Sequence, residues 1–130
     1  MENYQIKLKL GKLISEEFFY NALCNGLPCM RSYGLEFTYN PEQYKNSRYK
    51  LNNPCYEDVL MQMLKDGFQL TLIDHESEGE YTKSISLKDV HEKVQKTDMV
   101  HIINMINEKD DAETADCILQ TVFFDDIIFG

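Results

Sequence analysis

Apolar and polar residues alternate along four segments of the chain, which is the pattern of a half-buried β-strand. These segments are residues 4–10, 35–39, 68–74 and 81–87. The acidic stretch between the last two, residues 75–80, has the composition of a hairpin loop. The pattern therefore predicts a small sheet of about four strands, mostly antiparallel.

A first helix is predicted between the first two strands, over residues 16–24. Ser15 is placed to cap its N-terminus, and the apolar positions within it recur at helical spacing. Asn25 followed by Gly26 is a typical helix stop. We therefore expect this helix to be short.

A second helix is predicted to begin at Asn53 and Pro54, which have the order of an N-cap and first helical residue. It should continue to Lys65. The polar, turn-rich residues 41–53 that precede it predict a long loop.

Three further helices are predicted after the fourth strand. Ser86 and Asp89 have the spacing of a capping box for a helix that extends to about residue 95. Asp98 would cap the next helix, and Asp110 or Asp111 the last. The apolar residues expected to face the core in these last two helices are Met99, Val100, Ile103, Ile106, Ala115, Ile118, Leu119 and Val122.

The predicted order of elements is β-α-β-α-β-β-α-α-α, which indicates an α+β fold with helices packed on one face of the sheet. The length of 130 residues is that of a single domain over residues 1–130. No stretch approaches 18 continuous apolar residues, and the N-terminus lacks the pattern of a signal peptide. Four cysteines without CxxC spacing are typical of a reduced, cytoplasmic protein.

Charge is divided unevenly along the chain. Residues 1–65 contain eight Lys and Arg and seven Asp and Glu, whereas residues 66–130 contain five Lys and fifteen Asp and Glu. The second half therefore accounts for the net charge of −9. Such a field repels nucleic-acid phosphates and anionic membranes and favours a basic partner. We expect a protein partner and no direct binding to nucleic acid or membrane.

Acidic residues are densest in the C-terminal segment. First-turn positions, where carboxylates cap the helix and interact favourably with its dipole, explain Asp110, Asp111 and Glu113 but leave Asp125 and Asp126 unexplained. A solvated face is the alternative interpretation. The candidate interaction residues are Asp110, Asp111, Glu113, Asp116, Asp125 and Asp126.

No complete catalytic or metal-binding motif is present, so we predict no catalytic residue, metal site or cofactor. Asp74, Glu76, Glu78 and Gly79 match the start of an EF-hand loop, but the position of its bidentate Glu is Ile85. The residues indicate a solvated hairpin tip, with weak calcium binding as the alternative.

The three histidines, His75, His91 and His101, lack the close spacing of zinc ligands. They are expected at the surface or at helix caps. A cluster of His91, His101 and Cys117 in space remains the alternative, because sequence does not show distance.

The remaining cysteines differ in their predicted environments. Cys24, like Cys117, falls on an apolar helix face and is expected in the core. Cys29 follows Pro28 in a predicted loop. Cys55 lies in the first turn of a predicted helix, where the dipole can lower a thiol pKa.

Residues 44–50 alternate tyrosines with cations, a pattern that can bind single-stranded nucleic acid. Because the field of the whole chain opposes such binding, we interpret this segment as a loop whose tyrosines cover the edge of the core. An acidic partner, or the acidic half of a second copy, is the alternative contact.

Two stretches together resemble small uncharacterised proteins carried by bacterial phages and mobile elements. The first is residues 59–74 followed by residues 85–90, and the second is residues 111–120 followed by residues 128–130. They cover about half of the chain, and no activity, fold or site is attached to that group. The resemblance implies a small accessory protein of bacterial or phage origin.

Three functions are consistent with the sequence. The first is a non-enzymatic interaction module that presents its acidic C-terminal half to a basic protein and, in an extreme form, mimics the charge of DNA. The second is a homo-oligomeric structural or accessory protein that associates through the apolar tail at residues 127–129. The third is a small metal-dependent enzyme that uses His91, His101 and nearby carboxylates or Cys117.

Overall fold

The computed structural model describes residues 9–130. Its helices are α1 (Lys12–Ser32), α2 (Pro41–Tyr49), α3 (Tyr56–Lys65), α4 (Leu87–Lys93), α5 (Met99–Ile106) and α6 (Ala112–Phe124). Its strands are β1 (Leu35–Thr38), β2 (Leu70–Asp74) and β3 (Lys83–Ile85), and a 3₁₀ turn covers Val94–Lys96. The α+β class is confirmed.

The three described strands form one antiparallel sheet in the order β1-β2-β3. Leu35 lies opposite Asp74, and Leu70 lies opposite Ile85. The predicted hairpin between the last two strands is present. The side chains that alternate toward the helices and are buried there belong to Leu35, Phe37, Leu70, Leu72 and Ile85.

Four strands in the order β-α-β-α-β-β-α-α-α are not found among the described residues. Residues 9–130 contain three strands, and the order of their helices and strands is α-β-α-α-β-β-α-α-α, with an additional helix in the predicted loop. Most of the first predicted strand, residues 4–8, lies outside the described residues. Lys9 and Leu10 are not in a strand.

The first predicted helix is wrong at both ends, because α1 continues through the expected stop. Gly11 is its N-cap, and Ser15 is buried within the helix. Gly26 is also buried, and a Cβ atom there would lie 2.6 Å from Cδ1 of Leu119 and 3.3 Å from Cβ of Ala115. The glycine therefore allows α1 to approach α6 closely instead of ending α1.

The predicted loop over residues 41–53 contains α2. The side chain of Asn40 accepts hydrogen bonds from the backbone N–H groups of Glu42 and Gln43 at 2.9 and 3.2 Å. Pro41 occupies the first turn, where its missing N–H group needs no partner. A buried hydroxyl, that of Ser47, donates to the Asp66 carboxylate at 2.7 Å and joins α2 to the end of α3.

Asn53 is not the N-cap of α3. Its φ of 46° places it in the left-handed region, and α3 begins after Cys55. Asp58 accepts a hydrogen bond from the Cys55 backbone N–H at 3.1 Å.

In the second half of the chain, the predicted caps Ser86, Asp98 and Asp111 are those observed.

The core lies between the sheet and the helices, with α1 packed against α6, α3, α4 and β1. Its largest fully buried side chains include Phe19, Leu60, Met63 and Ile118. Within residues 9–130, no helix has the length and apolar character needed to cross a bilayer.

Replacing Gly26 with valine should lower the free energy of unfolding by about 2 kcal/mol, because the added atoms collide with Leu119 and Ala115. Urea denaturation followed by circular dichroism measures this change. Asn25→Val, at the exposed neighbouring position, is the matched control and should cost less than about 0.5 kcal/mol. Because helix propensity favours valine over glycine, a loss at Gly26 no larger than that at Asn25 would contradict the close packing of α1 against α6.

Candidate interaction surface

One face of α5 exposes four large apolar side chains. Met99, Val100, Ile103 and Ile106 retain 39%, 55%, 47% and 55% of their accessible surface. Their spacing of three, four and seven residues places them on the same side of the helix. The prediction that they face the core is wrong, and we refer to these four residues as the α5 apolar face.

The opposite side of α5 fixes the helix to the domain. Ile102 and Met105 are buried in the core. His101 shares a hydrogen bond with Thr114 of α6, with 3.1 Å between Nδ1 and Oγ1. Asp98 caps the N-terminus by accepting from the backbone N–H of Val100 at 3.3 Å. Only two of the apolar side chains of α5 are therefore buried in the core. The four side chains of the α5 apolar face are left in contact with solvent.

Three of the candidate acidic residues lie just beyond the C-terminal end of α5. Asp110 accepts from Nδ2 of Asn25 at 3.5 Å, and Asp111 caps α6 by accepting from the backbone N–H of Thr114 at 2.9 Å. This backbone N–H lowers the pKa of the Asp111 carboxyl. Glu113 is exposed in the first turn of α6.

Asp116 is engaged in the structure of the domain. It accepts hydrogen bonds from the Tyr33 hydroxyl at 2.7 Å and from Nε2 of Gln120 at 2.9 Å. The hydrogen bond to Asp116 raises the pKa of Tyr33. Asp116 therefore joins α6 to the end of α1.

Asp125 and Asp126 lie at the other end of α6, about 20 Å from its first turn, given the rise of a 13-residue helix. Asp125 adopts a left-handed φ of 60° and lies 3.2 Å from Nζ of Lys93. The six candidate residues are thus divided between the two ends of α6, with Asp116 turned to internal partners.

A buried amide that sequence reasoning missed holds the C-terminal tail. Oε1 of Gln120 accepts the backbone N–H groups of Ile128 and Phe129, both at 2.9 Å, and its Nε2 donates to the Phe129 carbonyl at 3.1 Å. The Phe129 ring stacks on Tyr33 with centroids 5.0 Å apart. In the sequence, the one indication of this role is that Gln120 is a polar residue that directly follows Leu119 in a largely apolar part of the helix.

The hairpin loop that partly resembles an EF-hand is organised around Asp74. This buried carboxylate accepts backbone N–H groups from Glu76, Ser77 and Tyr81 at 3.0 to 3.1 Å. These donors, Ser77 first among them, lower the pKa of Asp74. Asp74 therefore acts as the internal anchor of the loop.

The three histidines lie apart, each beside its own partner. His75 is 3.0 Å from Glu36, and His91 is 2.9 Å from Glu16. His101, as described above, contacts Thr114. In the part of the chain that the structure describes, no three His, Cys, Asp or Glu side chains are grouped closely enough to hold a metal ion.

The cysteine predictions are only partly correct. Cys24 is exposed and Cys117 is half-buried, so neither belongs to the core. Cys29 lies inside α1 and not in a loop. Burial raises the pKa of both Cys24 and Cys117, as well as that of Cys29. Cys55 is exposed at the N-cap of α3, 3.7 Å from the Tyr20 hydroxyl.

The tyrosine-rich segment 44–50 lies in α2 and its end, and not in a loop. The Tyr44 ring stacks on Tyr39 with centroids 4.7 Å apart, and both rings are partly buried against the core, as predicted for Tyr44. Tyr49 is 90% exposed. The cations of this segment face solvent or, for Lys50, the Asp66 carboxylate at 2.9 Å.

A cleft of about 400 Å³ lies between α1 and α3. Two of its carboxylates already have partners, because Asp58 accepts from the Tyr20 hydroxyl at 2.7 Å and Glu16 contacts His91. The cleft contains Lys65, whose Nζ is 3.9 Å from Glu16.

Comparison of the chain with protein-family models, with curated proteins and with solved structures finds no match. The resemblance to proteins of phages and mobile elements therefore stays a prediction.

Replacing Asp74 with asparagine should destabilise the protein at neutral pH, because an amide NH₂ would replace the oxygen that accepts from Tyr81. The folded-state pKa of Asp74 is lowered. Its contribution is therefore complete above the unfolded-state pKa of about 3.9 and is lost as the pH falls through the folded-state value.

The free energy of unfolding, measured in urea between neutral and acidic pH, should decline less steeply with acid in Asp74→Asn than in the wild type. Glu78→Gln, at an exposed position in the same loop, is the control and should retain the wild-type slope. Parallel curves for Asp74→Asn and the wild type would contradict the assignment of Asp74 as the anchor.

Proposed function

We propose that this protein is a non-enzymatic interaction module that binds a basic partner protein through the α5 apolar face and the carboxylates around it. The observation that supports this function is the exposure of four large apolar side chains on one side of a short helix. Single apolar side chains are normal on a protein surface, whereas contiguous groups mark interaction sites.

The charges around the α5 apolar face indicate what kind of partner fits it. Asp98 lies at the start of α5, and Glu108, Asp110 and Glu113 follow its end. Lys109 is the cation among these C-terminal residues. An apolar centre with a charged rim is the usual arrangement of a protein interface, and the acidic rim favours a partner with basic residues around an apolar patch.

Each part of this surface has a separate role in the proposed binding. Removal of apolar surface from water supplies the affinity, at about 25 cal/mol per Å² before the costs of association. The carboxylates accelerate encounter with a basic partner and select against acidic ones. Binding should therefore weaken as salt rises, because exposed charges are screened.

A second candidate function is self-association through the same apolar face. The exposure of Ile127 (47%) and Ile128 (40%) adds apolar surface elsewhere on the domain. However, a symmetric contact would bring the acidic rims of two copies together, which is unfavourable. We therefore place the basic partner first.

The paired change Val100→Ser and Ile103→Ser should abolish capture of the partner without loss of folding, since both side chains are more than 45% exposed. Tagged wild-type and variant proteins are incubated with bacterial lysate, washed at low and high salt, and the retained proteins are identified by mass spectrometry. We expect one basic protein, retained by the wild type at low salt and lost at high salt.

Leu13→Ser is the matched control, because Leu13 is 80% exposed on a different helix. It should retain the partner. A second double variant tests the carboxylates near α5: Asp110→Asn with Glu113→Gln should weaken capture of the partner. Its control, Glu78→Gln with Glu80→Gln, removes the same amount of charge from the hairpin loop and should leave capture unchanged. Retention of the same protein by the variant with Val100→Ser and Ile103→Ser would refute the proposed surface. If the wild type has the mass of a dimer and this variant the mass of a monomer, self-association would be favoured.

A further inference from the structure

A groove of about 390 Å³ runs along the outer edge of β1. One wall is formed by the last turns of α1, including Leu27, and by Tyr56 at the start of α3. β1 is an edge strand, because β2 is its sole neighbour in the sheet of the described residues. An edge strand presents backbone groups that can pair with another strand.

The hydrogen-bond pattern shows which backbone groups point into this groove. The carbonyl of Gly34 accepts from the backbone N–H of His75 on the β2 side at 2.9 Å. Because backbone groups of successive residues in a strand point to opposite sides, those of Glu36 also point toward β2. The N–H and C=O groups of Leu35 and Phe37 therefore point toward the groove.

The two faces of the sheet give the groove two different chemistries. Side chains at the positions of Leu35 and Phe37 point to the core face, where Leu27 and Tyr56 supply apolar surface. Glu36 lies on the other face, with 71% of its side chain exposed.

A second carboxylate, that of Glu76, also lines the groove, next to Gly34. Arg31 lines the same end and forms no ion pair with the described residues. His75 also lines this end, where its Nε2 lies 3.0 Å from Glu36. The two carboxylates still outnumber the one arginine.

We propose that the groove binds an extended segment of a partner protein, which adds antiparallel to the edge of β1 and alternates apolar with basic residues. The apolar side chains would contact Leu27 and Tyr56, and the basic ones would lie near Glu36 and Glu76. Backbone pairing would supply affinity and the alternate side chains specificity. This site is separate from the α5 apolar face and does not rest on the function proposed for it.

The charge of Glu36 disfavours a second copy of this chain as the occupant. Antiparallel pairing of two β1 strands through Leu35 and Phe37 would place one Glu36 directly opposite the other. Like charges in directly opposed positions destabilise a strand pair. A basic segment instead pairs its cations with this carboxylate.

The probe for this site is a fluorescein-labelled heptapeptide in which four lysines alternate with three valines. Fluorescence anisotropy should show saturable binding to the full chain with a Kd of order 100 μM, which is typical of a short segment bound by one edge. In antiparallel addition, the valines face Leu35 and Phe37 and donate their N–H groups to β1. N-methylation of the valines should therefore weaken binding by about tenfold, whereas N-methylation of the lysines should not.

Glu36→Lys should weaken binding of the same peptide by at least about fivefold at low salt. Glu42→Lys, an equal change of charge at an exposed position of α2, is the control and should leave binding near the wild-type value. In hydrogen-exchange measurements, the amides of Leu35 and Phe37 should gain protection on binding.

Three results would overturn this proposal: no saturation at millimolar peptide, equal effects of the two N-methylated peptides, or protection confined to α5. The variant carrying Val100→Ser and Ile103→Ser should bind the peptide like the wild type. Failure of the β1 site is thereby distinguished from failure of the function proposed for α5.

Discussion

The close approach of α1 to α6 at Gly26 is the contact on which the other parts of the structure depend. α1 also packs against α3, α4 and β1, so its position determines how the sheet and the remaining helices meet. The absence of a side chain at Gly26 brings the two backbones together. At the end of the same helix pair, the hydroxyl of Tyr33 and the carboxylate of Asp116 form a hydrogen bond that fixes their relative rotation. The apolar contact sets the distance, and the polar one sets the orientation.

The net charge of the chain is a poor measure of the charge available for binding. Asp74, Asp111 and Asp116 all belong to its acidic half, yet each accepts hydrogen bonds that organise a loop, a helix start or a helix pair. Satisfied carboxylates of this kind stabilise the fold through backbone and hydroxyl donors. Exposed acidic residues that do not accept such hydrogen bonds, among them Glu108 and Glu113, determine the electrostatic field at the surface.

Local patterns predicted the elements whose stability is local. Alternation located β2 and β3, and the capping signals at Ser86, Asp98 and Asp111 were correct because each cap bonds within three residues of itself. Local patterns gave the wrong result where contacts between distant residues determine the structure. At Gly26, for example, packing against α6 keeps the residue within α1. An Asn-Pro pair occurs twice in the chain, and the true helix start is the first pair, at Asn40. Helical spacing also cannot tell which apolar side of α5 the core will bury, so the exposed face could not be predicted.

The pairing of α1 with α6 has a consequence for how the chain is made. Gly26 leaves the ribosome about ninety residues before Leu119, which at 5–20 residues per second is a delay of roughly 5–20 s. Throughout that interval the apolar side of α1, with Phe19 and Leu23, lacks the helix that will cover it. The nascent chain thus exposes this apolar surface for several seconds, and slow or interrupted translation would prolong the period in which it can aggregate.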